Sequence, residues 1–223
     1  MTTTLTAPAG PATWRRAAVL VTPIGPLAIA GLRWLLPYDT TDDPVTVVAK
    51  VASHPTAMTA VLWLGLVALV TLPLGVLVVA AVAVRARPVL GTVAAVLAWL
   101  GFATLPFLVG PDQIALAGLD AGLPGPVTAA LVTAAVAHPV SATATGIWVL
   151  GHVVGTVLLG VALWRVVPVW AALAVVVSQP LHLVVAVIVP NHLVDGLAWL
   201  LTAVGFGVAA AVGLSPGRAA AAG

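Results

Sequence analysis

Val84-Arg85-Ala86-Arg87-Pro88-Val89 decides the fold. Two arginines and a proline interrupt sequence that is otherwise apolar from Thr56 to Val109. A bilayer core takes about 20 apolar residues as helix, so Thr56–Val84 and Val89–Val109 are each long enough to cross. The gap between them is then a tight hairpin turn whose arginines stay in the cytoplasm, as short basic loops do. Arg165-Val166-Val167-Pro168 repeats the device between Ser141–Trp164 and the run from Pro168 to Val189. Ala17–Leu36 before these runs and Leu193–Val212 after them bring the count to six spans.

The charges sort by side. Arg15, Arg16, Arg85, Arg87, Arg165 and Arg218 fall in alternate gaps, and only Arg33 and Lys50 break the pattern, so six basic residues lie inside and two outside. All six aspartates (Asp39, Asp42, Asp43, Asp112, Asp120, Asp195) and all five histidines fall toward the other side, and there is no glutamate. Loop charge therefore predicts a multi-pass protein of the plasma membrane with both termini cytoplasmic.

Composition excludes several classes. Of the 223 residues, 62% are hydrophobic and only 6% charged, with mean hydropathy +1.21. A soluble domain carries about 25% charged residues, so the partner of this surface is the lipid bilayer. The net charge of +2 rests on too few groups to signal nucleic acid. With no cysteine, disulfides, iron–sulfur clusters and thiolate-bound zinc are excluded. No Gly-rich phosphate loop, His-Glu-x-x-His or Gly-x-Ser-x-Gly is present, and the reading leans away from an enzyme. No lysine lies within a span, which excludes a retinal Schiff base.

The domain reading is an N-terminal tail over 1–13, one transmembrane domain over 14–213, and a C-terminal tail over 214–223, both tails disordered by composition. Arg15-Arg16 and the following run resemble a signal peptide, but the run reaches Pro37 without a small-residue cleavage site and reads as a retained span. Two outer segments, 37–55 and 110–140, are too short to cross. Each contains an apolar stretch, Val45–Ser53 and Val127–Ala137, expected as short helices on the outer surface. The fold class is all-α: six transmembrane helices with two short outer helices.

A weak internal repeat runs through this plan. Pro44-Val45-Thr46 leads to His54-Pro55 and Trp63, and Pro126-Val127-Thr128 leads to His138-Pro139 and Trp148. The two units run in the same direction, which makes them parallel repeats. His54 and His138 stand before prolines and read as helix stops.

Polar groups inside the spans are the candidates for function, because lipid penalises them. His152 lies roughly 15 Å below the outer end of its span and His182 roughly 10 Å below its own, at the helical rise of 1.5 Å per residue. Their spans are consecutive and antiparallel, so the imidazoles can face each other. Gln179 lies one turn from His182 on nearly the same face, and Pro180 frees a backbone carbonyl near Val176. Gly151 and Gly155 make a small-residue face for a close neighbour. Three readings stay open for the histidines: a hydrogen-bonded pair pinning two helices, the floor of a polar cavity, or ligands of a metal or haem b.

Arg33 and Asp195 sit near the outer ends of spans one and six. Mutual pairing would close those spans together; alternatively they form an anion or proton site. With His192 they make the expected rim of an outward-facing pocket whose floor is His152, His182 and Gln179. Asn191 is a good cap for span six, and Asp39-Thr40-Thr41-Asp42-Asp43 reads as a solvated loop. Thr22-Pro23-Ile24-Gly25-Pro26 must kink or break span one. Trp14, Trp34, Trp164 and Trp170 fall at interfaces as an aromatic belt; Trp63, Trp99, Trp148 and Trp199 lie within spans and read as packing.

Arg33-Trp34-Leu35-Leu36-Pro37-Tyr38-Asp39, the stretch Gly151 to Gly160, and Ser178-Gln179-Pro180-Leu181-His182 resemble uncharacterised six-span integral membrane proteins of actinobacteria. That resemblance implies the fold and no activity. The leading expectation is a pocket that binds or passes a small molecule, an ion or a proton. The alternatives are a bis-histidine haem b electron carrier and a structural or partner-binding subunit, with the glycine faces as docking surfaces, including for a homo-oligomer.

Overall fold

The structure is a computed structural model describing residues 11–215; the tail up to residue 10 and the C-terminal tail with Arg218 lie outside the described residues. Among the described residues the chain is helical, with no strand. Its helices are α1 (Pro11–Val21), α2 (Ile24–Leu35), α3 (Pro44–Ser53), α4 (Pro55–Ala86), α5 (Pro88–Ala103), α6 (Pro106–Asp120), α7 (Gly125–Ala137), α8 (Pro139–Leu163), α9 (Val169–Leu183) and α10 (His192–Gly213). A π-helical turn, Val184–Ile188, prolongs α9. Prolines start α3, α4, α5, α6 and α8, where the missing N–H has no intrahelical partner to lose and the fixed φ suits the first turn. Helix α1 begins at Pro11, so residues 11–13 belong to it and not to a tail.

Six segments are long and apolar enough to cross a membrane: Thr13–Leu35, Pro55–Ala86, Pro88–Asp120, Pro139–Leu163, Val169–Ile188 and His192–Gly213. The protein is an all-α polytopic membrane protein. Its crossing helices close into a ring, each packed on the next in the order α2, α4, α5, α8, α9, α10 and back to α2. One end of the ring carries the Arg85–Arg87 and Arg165 turns, here the arginine end; the other is the aspartate end.

One expectation needs correction. The third span does not stop at Val109. Helix α5 ends at Ala103, the chain turns at Thr104-Leu105, and Pro106 starts α6, which runs on through Pro111 to Asp120. Gly110-Pro111 follows the expected end of the span directly, yet a proline inside a helix removes one backbone donor and is tolerated where the neighbours hold the chain. Asp112 is therefore a helical residue and 9% exposed, not part of an outer loop. Span one breaks as expected at Thr22-Pro23. There Thr22 Oγ1 donates to the Ala18 carbonyl at 2.6 Å, and the carbonyl oxygen of Thr22 would stand 2.8 Å from a Cβ on Gly75 of α4.

The two expected short helices are present as α3 and α7. With α6 they form a small cap at the aspartate end, around a core of Val48, Val51, Met58, Val61, Leu116 and Val132 separate from that of the ring. The order short helix, His-Pro, crossing helix, arginine turn, crossing helix occurs twice, as α3-α4-α5 and α7-α8-α9. His54 and His138 sit at the two junctions as caps, the latter accepting from the Val140 N–H at 3.3 Å. Helices α5 and α8 cross at the small-residue face: a Cβ on Gly101 would lie 2.2 Å from the His152 nitrogen, and one on Gly155 would lie 2.3 Å from the Ala98 nitrogen. Only glycine lets these backbones meet, and their meeting sets the depth at which His152 enters the ring.

Candidate functional site

Asp195 is the centre of the site. It enters in the first turn of α10, one turn after Asn191 caps that helix by accepting from the Val194 N–H at 3.0 Å. Its carboxylate has no solvent exposure. One oxygen accepts from the Arg33 Nε and the other contacts His182 Nδ1 at 2.5 Å. Arg33, in the last turn of α2, is 8% exposed and also donates to Thr40 Oγ1 at 3.0 Å. The expected seam between the first and last spans is therefore present, and it joins α2 to α10. Trp34 supports it by donating to the Leu193 carbonyl at 3.2 Å.

His182 Nδ1 also lies 3.2 Å from the Trp199 indole nitrogen. A carboxylate only accepts, so Nδ1 must carry the proton in the bond to Asp195. The indole N–H then meets a nitrogen with no lone pair to offer, and the contact is packing, not a second hydrogen bond. His182 faces His152 with ring centroids 5.6 Å apart, as expected from two antiparallel helices. His152 is 1% exposed, and its Nδ1 lies on the carbonyl of Trp148. A carbonyl also only accepts, so this Nδ1 is protonated and Nε2 is a bare lone pair. Trp148 packs at 4.5 Å from the His152 ring, Phe102 at 5.9 Å and Trp199 at 6.4 Å. Trp148 and Trp199 thus wall the imidazoles, whereas Trp63 and Trp99 look outward, at 65% and 41% exposed.

The expected division into floor and rim is corrected. Asp195 and Gln179 have no exposure and His152 almost none, so these three side chains are enclosed within the ring and do not line an open cleft. The physical reason is the ion pair: opposite charges removed from water are stable only in contact, and their contact draws α2 and α10 together. Gln179 lies in the same layer but donates to Thr202 of α10 at 2.7 Å. His192 is the most exposed of the candidates, meeting Asp39 Oδ1 at 2.9 Å. A groove of about 380 Å³ lies elsewhere, on the flank between α4 and α6, lined by Thr59, Trp63, Gly65, Pro106 and Gln113 among others, and none of the candidate residues borders it.

A second carboxylate completes the cluster. The Tyr38 hydroxyl donates to Asp112 Oδ1. Burial first, then the Asp112 charge, push the Tyr38 phenol well above its ordinary range, against an opposing pull from Arg33. Tyr38 therefore keeps its proton and acts as a donor. The pair is not foreseeable from an outer segment over 110–140, because only a helix through Asp112 turns its carboxylate toward Tyr38. The aspartate run is likewise more ordered than a solvated loop: Lys50 Nζ reaches Asp42 at 2.6 Å, and Asp43 caps α3 by accepting from the Val45 and Thr46 amides. Residues 38–40 are thus tied across the Arg33–Asp195 pair by Tyr38–Asp112, Asp39–His192 and Thr40–Arg33.

The site does not fit haem b. A porphyrin between His152 and His182 would have to occupy the space that Trp148, Phe102 and Trp199 fill around the two rings. Among the described residues no group of three or more potential metal ligands is found; the two imidazoles stand as a pair. No family model, no curated protein and no solved structure matches this chain.

Proposed function

We propose that this protein is a plasma-membrane protein with both termini cytoplasmic, whose outward end holds a buried proton-binding centre. The observation that carries the reading is a charge count: two buried carboxylates, Asp195 and Asp112, share one buried cation, Arg33. The guanidinium bonds Asp195 and reaches Asp112 only through space. An uncompensated charge in a low-dielectric site is expensive, so the cluster is driven to take up one more positive charge. A proton is the smallest, and it has two places to go, the Asp112 carboxyl and His182 Nε2. The closed packing favours a proton over a small organic molecule, which would need an opening. His182 is suited to exchange it, because its Nδ1 is anchored on Asp195 and a singly anchored imidazole can take up or release a proton at its other nitrogen.

The test is proton uptake by the purified full chain in lipid nanodiscs, followed with an indicator dye across about pH 8 to 5. The wild type is expected to bind about one proton more in this window than the Asp112→Asn, His182→Gln double variant. Equal uptake by the two proteins would remove the proposal. A purely structural subunit, held shut by Arg33 and Asp195, is the reading that would then stand.

A further inference from the structure

Beyond the histidine pair, on the side of the arginine end, three buried polar atoms have no hydrogen-bond partner: His152 Nε2, Thr156 Oγ1 and Gln179 Oε1. A fourth, Thr128 Oγ1, belongs to the cap beside Gly118. Buried polar groups are nearly always satisfied, so a cluster of orphans at one level calls for an account.

Helix register brings the three together. Thr156 follows His152 by one turn on α8 and shares its face. Helices α8 and α9 are antiparallel. Their register is fixed on one side by His152 against His182, at 5.6 Å between rings. On the other side it is fixed by Gly160, where a Cβ would stand 2.6 Å from Val176 and 3.0 Å from the Ala172 carbonyl. Midway between these contacts, Thr156 lies opposite Ser178 and Gln179. Helix α10 closes the third side, with Thr202 bonded to Gln179 and Trp199 against His182. All three side chains have zero or 1% exposure.

Their hydrogen-bonding characters define the guest. His152 Nδ1 is committed to the Trp148 carbonyl, so Nε2 can only accept. The Gln179 amide nitrogen is committed to Thr202, so its oxygen can only accept. The Thr156 hydroxyl has a proton to give. The complement is a small molecule with two donors and one acceptor. We infer that His152 Nε2, Thr156 Oγ1 and Gln179 Oε1 hold one water molecule in the middle of the bundle. It donates to the imidazole and the amide oxygen and accepts from the hydroxyl, giving the three bonds typical of a buried water. The water would extend the line Asp195–His182–His152 inward and offer a proton a place beyond His152; this consequence, unlike the site, rests on the proton reading above.

The test is difference infrared spectroscopy of the full chain in nanodiscs at neutral pH, exchanged between ordinary and 18O-labelled water. The wild type is expected to show a discrete O–H stretch, apart from the bulk-water band, that moves to lower frequency with the label. The band is lost in Thr156→Val and kept in Thr156→Ser and in the remote control Thr92→Val. Should Thr156→Val not fold, Gln179→Met takes its place, with the same loss expected. No label-sensitive band in the wild type, or a band that survives both Thr156→Val and Gln179→Met, overturns the site. So does a melting temperature that rises with sodium in the wild type but not in Thr156→Val, because the guest is then a cation. A band without the extra proton uptake sinks only the proton reading, and uptake without the band sinks only the water.

Discussion

Arg33→Met is the most informative perturbation of this molecule. It removes the guanidinium and leaves Asp195 with zero exposure and a single remaining partner, His182. Breaking a buried ion pair from one side costs about 3–5 kcal/mol, because the abandoned charge is uncompensated. Replacing both partners by apolar groups of similar volume is often neutral or favourable. The double variant Arg33→Met, Asp195→Leu should therefore recover most of the loss. It does leave His182 Nδ1–H without its acceptor, a penalty of about 1–3 kcal/mol for a buried donor. The expected order is wild type, then the double variant about 1–3 kcal/mol below it, then Arg33→Met about 3–5 kcal/mol below it. Unfolding in mixed micelles with increasing SDS, followed by tryptophan fluorescence, measures all three. If Arg33→Met lies within about 0.5 kcal/mol of wild type, as an ordinary surface substitution would, or if the double variant is the less stable of the two, the role given to the pair is wrong.

Further outcomes follow from other parts of the structure. Gly101→Ala puts a methyl 2.2 Å from the backbone nitrogen of His152, so α5 and α8 must separate; a loss of about 1–3 kcal/mol is expected in the same unfolding assay. Asp43 caps α3 with its carboxylate, whose pKa lies below its ordinary 3.8 chiefly because the Thr46 side chain donates to it. Its contribution is complete above the unfolded value and fades as the pH falls through the lower folded one. Amide exchange at Val45 and Thr46 should accordingly quicken in Asp43→Ala at neutral pH, and in the wild type only below about pH 4. Purified protein should show no Soret absorbance, since the aromatic walls exclude a porphyrin; a stoichiometric band would contradict that packing. The chain has no native cysteine, so single cysteines at Ala86 and Ala121 report the sidedness directly: an impermeant maleimide added to whole cells should label Ala121→Cys and spare Ala86→Cys.

The sequence by itself determined the fold class and the level of most polar groups, Asp112 excepted. Arginine pairs and prolines between apolar runs leave few ways to place the chain in a bilayer, because an unpaired backbone or charge in hydrocarbon costs several kcal/mol. Helical rise alone then put His152 and His182 within reach of each other, and Arg33 within reach of Asp195. What depth cannot supply is rotation about each helix axis and the order of helices around the ring. Those rest on packing between segments far apart in the chain, such as Gly101 against Gly151 and Gly196 against the Trp34 indole. For that reason nothing in the chain's pattern signals that Asp195 is enclosed by α2, α9 and α10, that Tyr38 finds Asp112, or that Trp148 and Trp199 leave no room for a porphyrin. Only tertiary contact turned an expected cleft into an ion-paired cluster around an enclosed Asp195, because oppositely charged side chains withdrawn from water are stable only when they touch.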